Sequence, residues 1–338
     1  MKKKRISKRV IYILTIIGFI FIVSVGVMLY ATEKYCGDSK WIFIDKDYSE
    51  DQLRDSLQMK LGCSFGNKVF ILWGLKGSAI KSGAYKFKQG ETAWDISRAI
   101  AENDQTPVML TFNNIRTMEQ LAKRVAKKFM FDNHAFLTAC DSVLTKNGFK
   151  KEEYPVIFFP DSYEFYWTSS PTVVVEKLLG YYNKYWNEDN LKKAAELGLS
   201  SKEVSILASI VEEETNKADE RPMVARLYLN RLKKGMKLQA DPTIKFAIGD
   251  FSLRRIMHNH LTVESPYNTY QNVGLPPGPI RIVEKKTLDA VLNAPQHEYL
   301  YMCAKEDFSG YHNFAVDYST HQANARRYQQ ELNRRKIK

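Results

Sequence analysis

The 338-residue chain is 44% hydrophobic and 26% charged, a balance that supports a buried core and excludes an intrinsically disordered protein. Its formal net charge is +12, but six of the 50 Lys and Arg residues fall in the first nine positions, and the other 44 face 38 acidic residues. The remaining bias is mild, no basic stripe interleaved with aromatics appears, and no glycine-rich phosphate loop is present, which excludes nucleic acid as a partner.

Residues 10–30 carry no charge and are rich in Ile, Val, Phe and Gly; as a helix they rise about 30 Å, the hydrocarbon thickness of a bilayer. A transmembrane helix is expected here. A cleaved leader has an apolar region of about 7–15 residues ending in small residues, and Leu29-Tyr30-Ala31-Thr32 is a poor cleavage site. Lys2, Lys3, Lys4, Arg5, Lys8 and Arg9 make residues 1–9 a cytoplasmic tail by the positive-inside rule, leaving everything beyond Ala31 outside the cell membrane. Cys36, Cys63, Cys140 and Cys303 would then meet an oxidising compartment. Cys36–Cys63 is the expected bridge, since both lie in the membrane-proximal region, and free thiols are the alternative.

Three segments share one grammar: a short strand, a capping hydroxyl, then an amphipathic helix. Ser49 precedes Gln52, Leu53 and Leu57; Thr92 precedes Asp95, Ile96 and Ile100; Thr117 precedes Gln120, Leu121 and Val125. Each hydroxyl sits three residues before a side chain that reaches back and four and eight before apolar residues that face a sheet, which predicts three helices in small α+β modules in series. The unequal spacing excludes a solenoid. Trp94, at the start of the second helix, is either a core residue or a platform on which a sugar stacks.

Farther on, Tyr181-Tyr182-Asn183-Lys184-Tyr185-Trp186 reads as helix core, and Asp219 as the cap of a helix ending near Gly235. In 206–243 the large apolar residues Ile206, Leu207, Ile210 and Val211 fall within one helical arc of about 140°, with Glu214 in its middle, Glu213 at its edge and Glu212 nearly opposite. A carboxyl on an apolar stripe loses hydration, so its pKa rises and it holds a proton near neutrality, the property a general acid needs. Asp241 is a second carboxylate of interest, with Pro242 biasing it toward extended backbone at a loop end. Tyr267-Asn268-Thr269-Tyr270 offers an amide and aromatic faces suited to N-acetyl groups and pyranose rings, and Gly274-Leu275-Pro276-Pro277-Gly278-Pro279 is a stiff wall. His258-Asn259-His260 shares the letters of the HNH nucleases without their metal-binding surroundings. His312 and His321 lack a third zinc ligand, so no metal or cofactor is expected.

The chain carries Ala208-Ser209-Ile210-Val211-Glu212-Glu213-Glu214-Thr215, Asn230-Arg231-Leu232, Gln239-Ala240-Asp241-Pro242-Thr243, Ser265-Pro266-Tyr267-Asn268-Thr269-Tyr270 and the Gly274–Pro279 wall in this order. This set resembles the endolytic murein transglycosylases, the MltG or YceG-like family, over roughly 158–321. Ala240 and Phe246 depart from the family's usual Thr or Ser and Tyr. The resemblance implies that Glu214 is the catalytic acid/base, and that Gln239, Asp241, Asn268, Tyr270 and Glu212 bind substrate. It implies an α+β chain: a LysM-like membrane-proximal region over 36–108, heralded by Gly90-Glu91-Thr92-Ala93-Trp94-Asp95, and a catalytic domain over 109–338. It implies peptidoglycan strands as substrate, with penicillin-binding proteins of the wall-synthesis machinery as partners. The activity implied is cleavage between N-acetylmuramic acid and N-acetylglucosamine to leave 1,6-anhydro ends. A muramidase-type hydrolase, which needs a second carboxylate such as Asp241, and a non-catalytic wall-binding scaffold are the competing readings.

Overall fold

In the computed structural model, which describes residues 8–253 and 255–335, helix α1 (Lys8–Thr32) has no buried residue. It is long and apolar enough to cross a membrane. Its few polar side chains are quenched internally: the Thr15, Ser24 and Thr32 hydroxyls each donate to the carbonyl four residues back at 2.8 Å, which an apolar surrounding requires. Of the expected basic flank, Lys2, Lys3, Lys4 and Arg5 lie outside the described residues.

The chain divides into two compact units, one of residues up to Met109 with Glu164–Ser169, the other of Leu110–Tyr163 and Ser170 onward. In the first, strand β1 (Lys40–Ile44) pairs antiparallel with β2 (Gly83–Phe87), Ile42 opposite Tyr85. Between them run α2 (Glu50–Leu61) and α3 (Cys63–Gly74), and α4 (Ala93–Glu102) follows β2. The predicted caps form: Ser49 and Gln52 close a reciprocal capping box on α2, and Thr92 accepts from the Asp95 amide at the start of α4. Leu53, Leu57, Ile96 and Ile100 are fully buried in one shared core with Ile42, Ile44, Val69 and Tyr85. The first two segments are therefore one body rather than modules in series, because their strands satisfy each other's backbone. Helix α3 was not expected; Phe65, Val69, Leu72 and Trp73 make its buried stripe. Trp94 stays partly exposed with the Lys76 ammonium 4.1 Å from its ring centre, so it is not a core residue. All four cysteines are free and Cys36 and Cys63 are exposed, so the expected bridge is absent.

Strand β3 (Val108–Phe112) pairs with β4 (Asp161–Phe165). The third capped helix, α5 (Met118–Ala126), starts at Thr117 and packs on α6 (Asn133–Lys146). A 3₁₀ turn (Lys151–Ile157), α7 (Pro171–Tyr185) and α8 (Glu188–Glu196) lead to α9 (Ser201–Glu214), α10 (Arg221–Lys233) and α11 (Asp241–Ile248). After a long irregular stretch come α12 (Lys285–Leu292), the antiparallel pair β5 (Tyr301–Ala304) and β6 (His312–Ala315), and α13 (Tyr318–Arg334). Tyr182 and Trp186 are buried, in line with a helix-core reading of that aromatic run. Helix α10 begins one residue past the expected cap: Glu220 is its N-cap and makes no side-chain cap bond, while Asp219 accepts from the Tyr311 hydroxyl.

Helix α9 is the axis of this unit. A one-sided stripe was expected, yet every residue from Val204 to Glu212 is buried, because α8, α10, α11, α12 and the 3₁₀ turn all pack on it. Its first turn is at the surface, with Glu203 exposed, and in its last turn Glu213 and Glu214 emerge.

Candidate active site

That last turn carries three glutamates in three surroundings. Glu212, placed on the open side by the helical-wheel reading, is only 3% exposed. Its carboxylate accepts from the Glu284 amide at 3.1 Å and the Thr287 hydroxyl at 2.6 Å and faces Arg281 Nε at 3.1 Å. This ties α9 to α12 and the segment before it, and Glu212, expected to bind substrate, is not among the residues lining the cavity beside Glu214. Glu213 bridges Arg116 and Arg281, at 2.9 and 2.8 Å.

Glu214 is different. Among the described residues it has no Arg or Lys partner within salt-bridge range, and the Tyr228 hydroxyl donates to its Oε1 at 2.7 Å. Burial pushes its carboxyl up to about 7, helped by the Asp241 charge and opposed by the Tyr228 bond and by His312 and Lys245. Its place at the C-terminal end of α9 adds to this, since the exposed carbonyls there disfavour a second negative charge. Burial and the Glu214 carboxylate hold Tyr228 well above its ordinary value, so it remains a donor.

Glu214 lines a cavity of about 200 Å³ together with Tyr228, Arg231, Gln239, Asp241, Tyr270, Cys303 and His312 among others. Asp241 is exposed and opens α11, with Pro242 in that helix's first turn; the extended residue is Ala240, one position earlier, so the expected backbone for Asp241 is corrected. A helix N-terminus suits a carboxylate, and Tyr270 donates its hydroxyl to Asp241 Oδ1 at 2.5 Å. Gln239, at φ +51°, is held by its amide on the Thr269 carbonyl at 3.0 Å.

Asn268, expected to grip substrate, is fully buried. Its amide donates to the Leu261 and Val263 carbonyls at 3.0 and 2.8 Å and accepts from the Tyr270 amide at 2.9 Å, so it shapes the loop that delivers Tyr270 and has no free group for a sugar. Asn230 likewise caps the His297 and Tyr299 carbonyls. The cavity thus brings together Glu214, Gln239, Asp241 and Tyr270, but not Glu212 or Asn268.

Tyr228, Arg231 and His312 also line the cavity and had no assigned contact in the sequence. Tyr228 and Arg231 lie one turn apart on α10, a spacing that could have paired them on a face. Arg231 donates to the Leu300 carbonyl at 2.6 Å and to Leu238 at 2.8 Å, fastening β5 and the 237–239 loop to α10. His312, at the head of β6, is held by Glu220 at 2.8 Å.

The fold and site define a class: a mixed α+β protein with a protonatable carboxyl at the emerging end of a buried helix, in a cavity lined by two tyrosines, an amide and a second carboxylate. The chain belongs to the YceG-like family, whose model matches residues 42–327. It is 27% identical to an endolytic murein transglycosylase of Bacillus subtilis over 69% of this chain and 65% of that one. To another, from Streptococcus pneumoniae, it is 24% identical over 67% of this chain and 46% of that one; the chain therefore spans about two thirds and about half the length of these relatives. A crystal structure of a YceG-like protein from Listeria monocytogenes matches with a TM-score of 0.57 at 22% identity, covering 85% of this chain and 98% of that chain, which establishes the shared fold.

Proposed function

We propose that the protein is an endolytic lytic transglycosylase that cleaves the bond between N-acetylmuramic acid and N-acetylglucosamine in peptidoglycan strands, with Glu214 as the single acid/base. The observation that carries this reading is the Glu214 carboxyl, raised to about 7 beside a cavity lined by Asp241, Gln239 and Tyr270. A group poised near neutrality serves in both directions. As the acid it gives its proton to the glycosidic oxygen as the C1–O bond breaks. As the carboxylate it then takes the proton of the muramic C6 hydroxyl, whose oxygen bonds to C1 and closes the 1,6-anhydro ring. Water is not consumed.

A hydrolase reading has one observation in its favour, the second carboxylate of Asp241 in the same cavity. Digestion of uncrosslinked murein strands in heavy-oxygen water separates the two. Unlabelled anhydro ends at internal cuts are expected; labelled reducing ends as the primary product would replace the transglycosylase with a hydrolase using Asp241.

In this reading α1 anchors the chain in the cell membrane with residues 1–9 in the cytoplasm, and residues 36–108 are a LysM-like region that holds glycan near Trp94. Penicillin-binding proteins are the partners that would supply nascent strands. Cys36, exposed just past α1, reports the topology: a membrane-impermeant thiol reagent should label it on intact spheroplasts, and labelling only after lysis would reverse the orientation.

A further inference from the structure

Glu220 is buried, yet it takes no part in the chemistry outlined above. Its Oε1 accepts from the His312 main-chain amide at 2.7 Å, and its Oε2 meets His312 Nδ1 at 2.8 Å and the Thr215 hydroxyl at 3.0 Å. Although burial opposes its charge, these bonds prevail and hold the Glu220 carboxyl below the usual carboxylate range. Thr215 directly follows Glu214, and its hydroxyl also accepts from the Lys217 amide at 3.0 Å. One carboxylate thus fastens the exit of α9, the start of α10 and the head of β6 together, within a few residues of Glu214.

A carboxylate on Nδ1 keeps the proton on that nitrogen, so the neutral ring presents Nε2 as an acceptor and the charged ring presents it as a donor. His312 lines the same cavity as Glu214, and Nε2 is the ring nitrogen that Glu220 does not engage. We infer that Glu220 and His312 form a positioning pair for Glu214: Glu220 fixes the orientation of the imidazole and favours its charged form, and that charged ring, a donor at Nε2, stabilises the Glu214 carboxylate in the interval after its proton has gone to the leaving oxygen.

The charged and titratable groups around Glu214 are Tyr228 and Arg231 from α10, Asp241 and Lys245 from α11, Tyr270 from the 265–270 loop, Cys303 from β5 and His312 from β6. Asp241 raises the Glu214 carboxyl while His312 and Lys245 lower it. His312 stands apart in this set because its ring and its main-chain amide are both locked by the buried carboxylate of Glu220. Removing it takes away a positive neighbour, so Glu214 should hold its proton to higher pH.

The inference rests on Glu214 acting as the acid. The test is therefore run on the full chain in detergent with two readouts, the pH profile of murein-strand cleavage and the nitrogen-15 shifts of the His312 ring. Glu220→Gln still accepts from the His312 amide, but its NH₂ faces Nδ1 and drives the ring proton to Nε2. His312→Asn and Glu220→Gln should each lower cleavage roughly tenfold or more, with the alkaline limb of the profile moved to higher pH in His312→Asn. Glu220→Asp should recover part of the rate. A limb that stays in place in His312→Asn, or wild-type rates in Glu220→Gln, would overturn the pairing, since a purely structural role lowers rates without moving the limb. Should His312→Asn fail to show the native unfolding transition, His312→Gln takes its place. If the wild-type chain makes no cleavage products, the enzyme reading fails by itself and the ring shifts decide the pair: a wild-type ring that keeps its proton on Nδ1, lost in Glu220→Gln, supports it, and a neutral wild-type ring protonated on Nε2 alone refutes it.

Discussion

Two ends of the same helical turn show how a glutamate's surroundings, rather than its identity, set what it can do. At the α9–α12 junction Glu212 has an arginine, a hydroxyl and a main-chain amide on its carboxylate. Two residues on, Glu214 has a single tyrosine hydroxyl, and burial raises it to about 7. The first is a fixed charge that holds two helices together. The second is a proton store. Buried charge with partners serves structure, and buried charge without them is available for chemistry.

The comparison breaks most sharply at Glu214. Glu214→Gln keeps the shape of the side chain and cannot carry the proton, so strand cleavage should fall roughly 1,000-fold or more, measured by release of soluble fragments. Stability should move the other way. Wild-type Glu214 is raised from 4.5 to about 7, so between those values the folded state binds more protons than the unfolded one, and stability falls as pH rises through that window. Glu214→Gln escapes this and should be more stable than wild type by roughly 2–3 kcal/mol above pH 7, the difference closing below about pH 4.5. Urea unfolding at both pH values reads it; equal stability at high pH would mean that Glu214 is not raised.

Glu212→Gln should show the opposite profile. Arg281 loses half of its compensation in a buried setting, for a cost of about 3 kcal/mol, while the folded fraction cleaves at a rate near that of wild type. Cleavage lost in proportion to Glu214→Gln would return Glu212 to the substrate site.

Smaller effects sharpen the electrostatics. Asp241 raises Glu214, so Asp241→Asn should move the alkaline limb of the cleavage profile to lower pH. The Tyr228 hydroxyl stabilises the Glu214 carboxylate, so Tyr228→Phe should move the same limb to higher pH, with a loss of several-fold in rate. Limbs moving in the same direction would show that geometry, not charge, dominates. Least affected should be Glu213→Gln, whose carboxylate braces Arg116 and Arg281 outside the cavity: less than threefold in rate, with a modest drop in unfolding midpoint.

What could be read from the sequence was local or periodic. Ser49, Thr92 and Thr117 cap helices because the hydroxyl and the amide it serves are three residues apart, and Leu53, Ile96 and Leu121 are buried because a helix repeats every turn. Residues 10–30 form a long apolar helix because composition alone dictates it. The site itself is assembled across long separations. Glu212 meets Thr287 from 75 residues away, Glu220 meets His312 from 92 away, and neither meeting leaves a mark on the spacing of its own segment. The wheel drawn on α9 failed for the same reason: a helix packed on all sides has no solvent face for its polar residues to mark. Asn268 shows the converse, since an amide in a loop rich in aromatics looks like a sugar contact until its two donors and its acceptor are found satisfied by the loop's own backbone.

Gln239 sits in the cavity wall with φ +51°, a left-handed backbone that costs a residue with a Cβ roughly 1 kcal/mol and a glycine nearly nothing. The bend is enforced from outside, by the Thr269 carbonyl on the Gln239 amide and the Thr269 hydroxyl on the Ala240 amide, both at 3.0 Å. Local conformational strain is thereby held in the wall by a segment 29 residues away. The cavity is pre-set under tension before any ligand arrives, so a ligand need not spend binding energy on bending this stretch of chain.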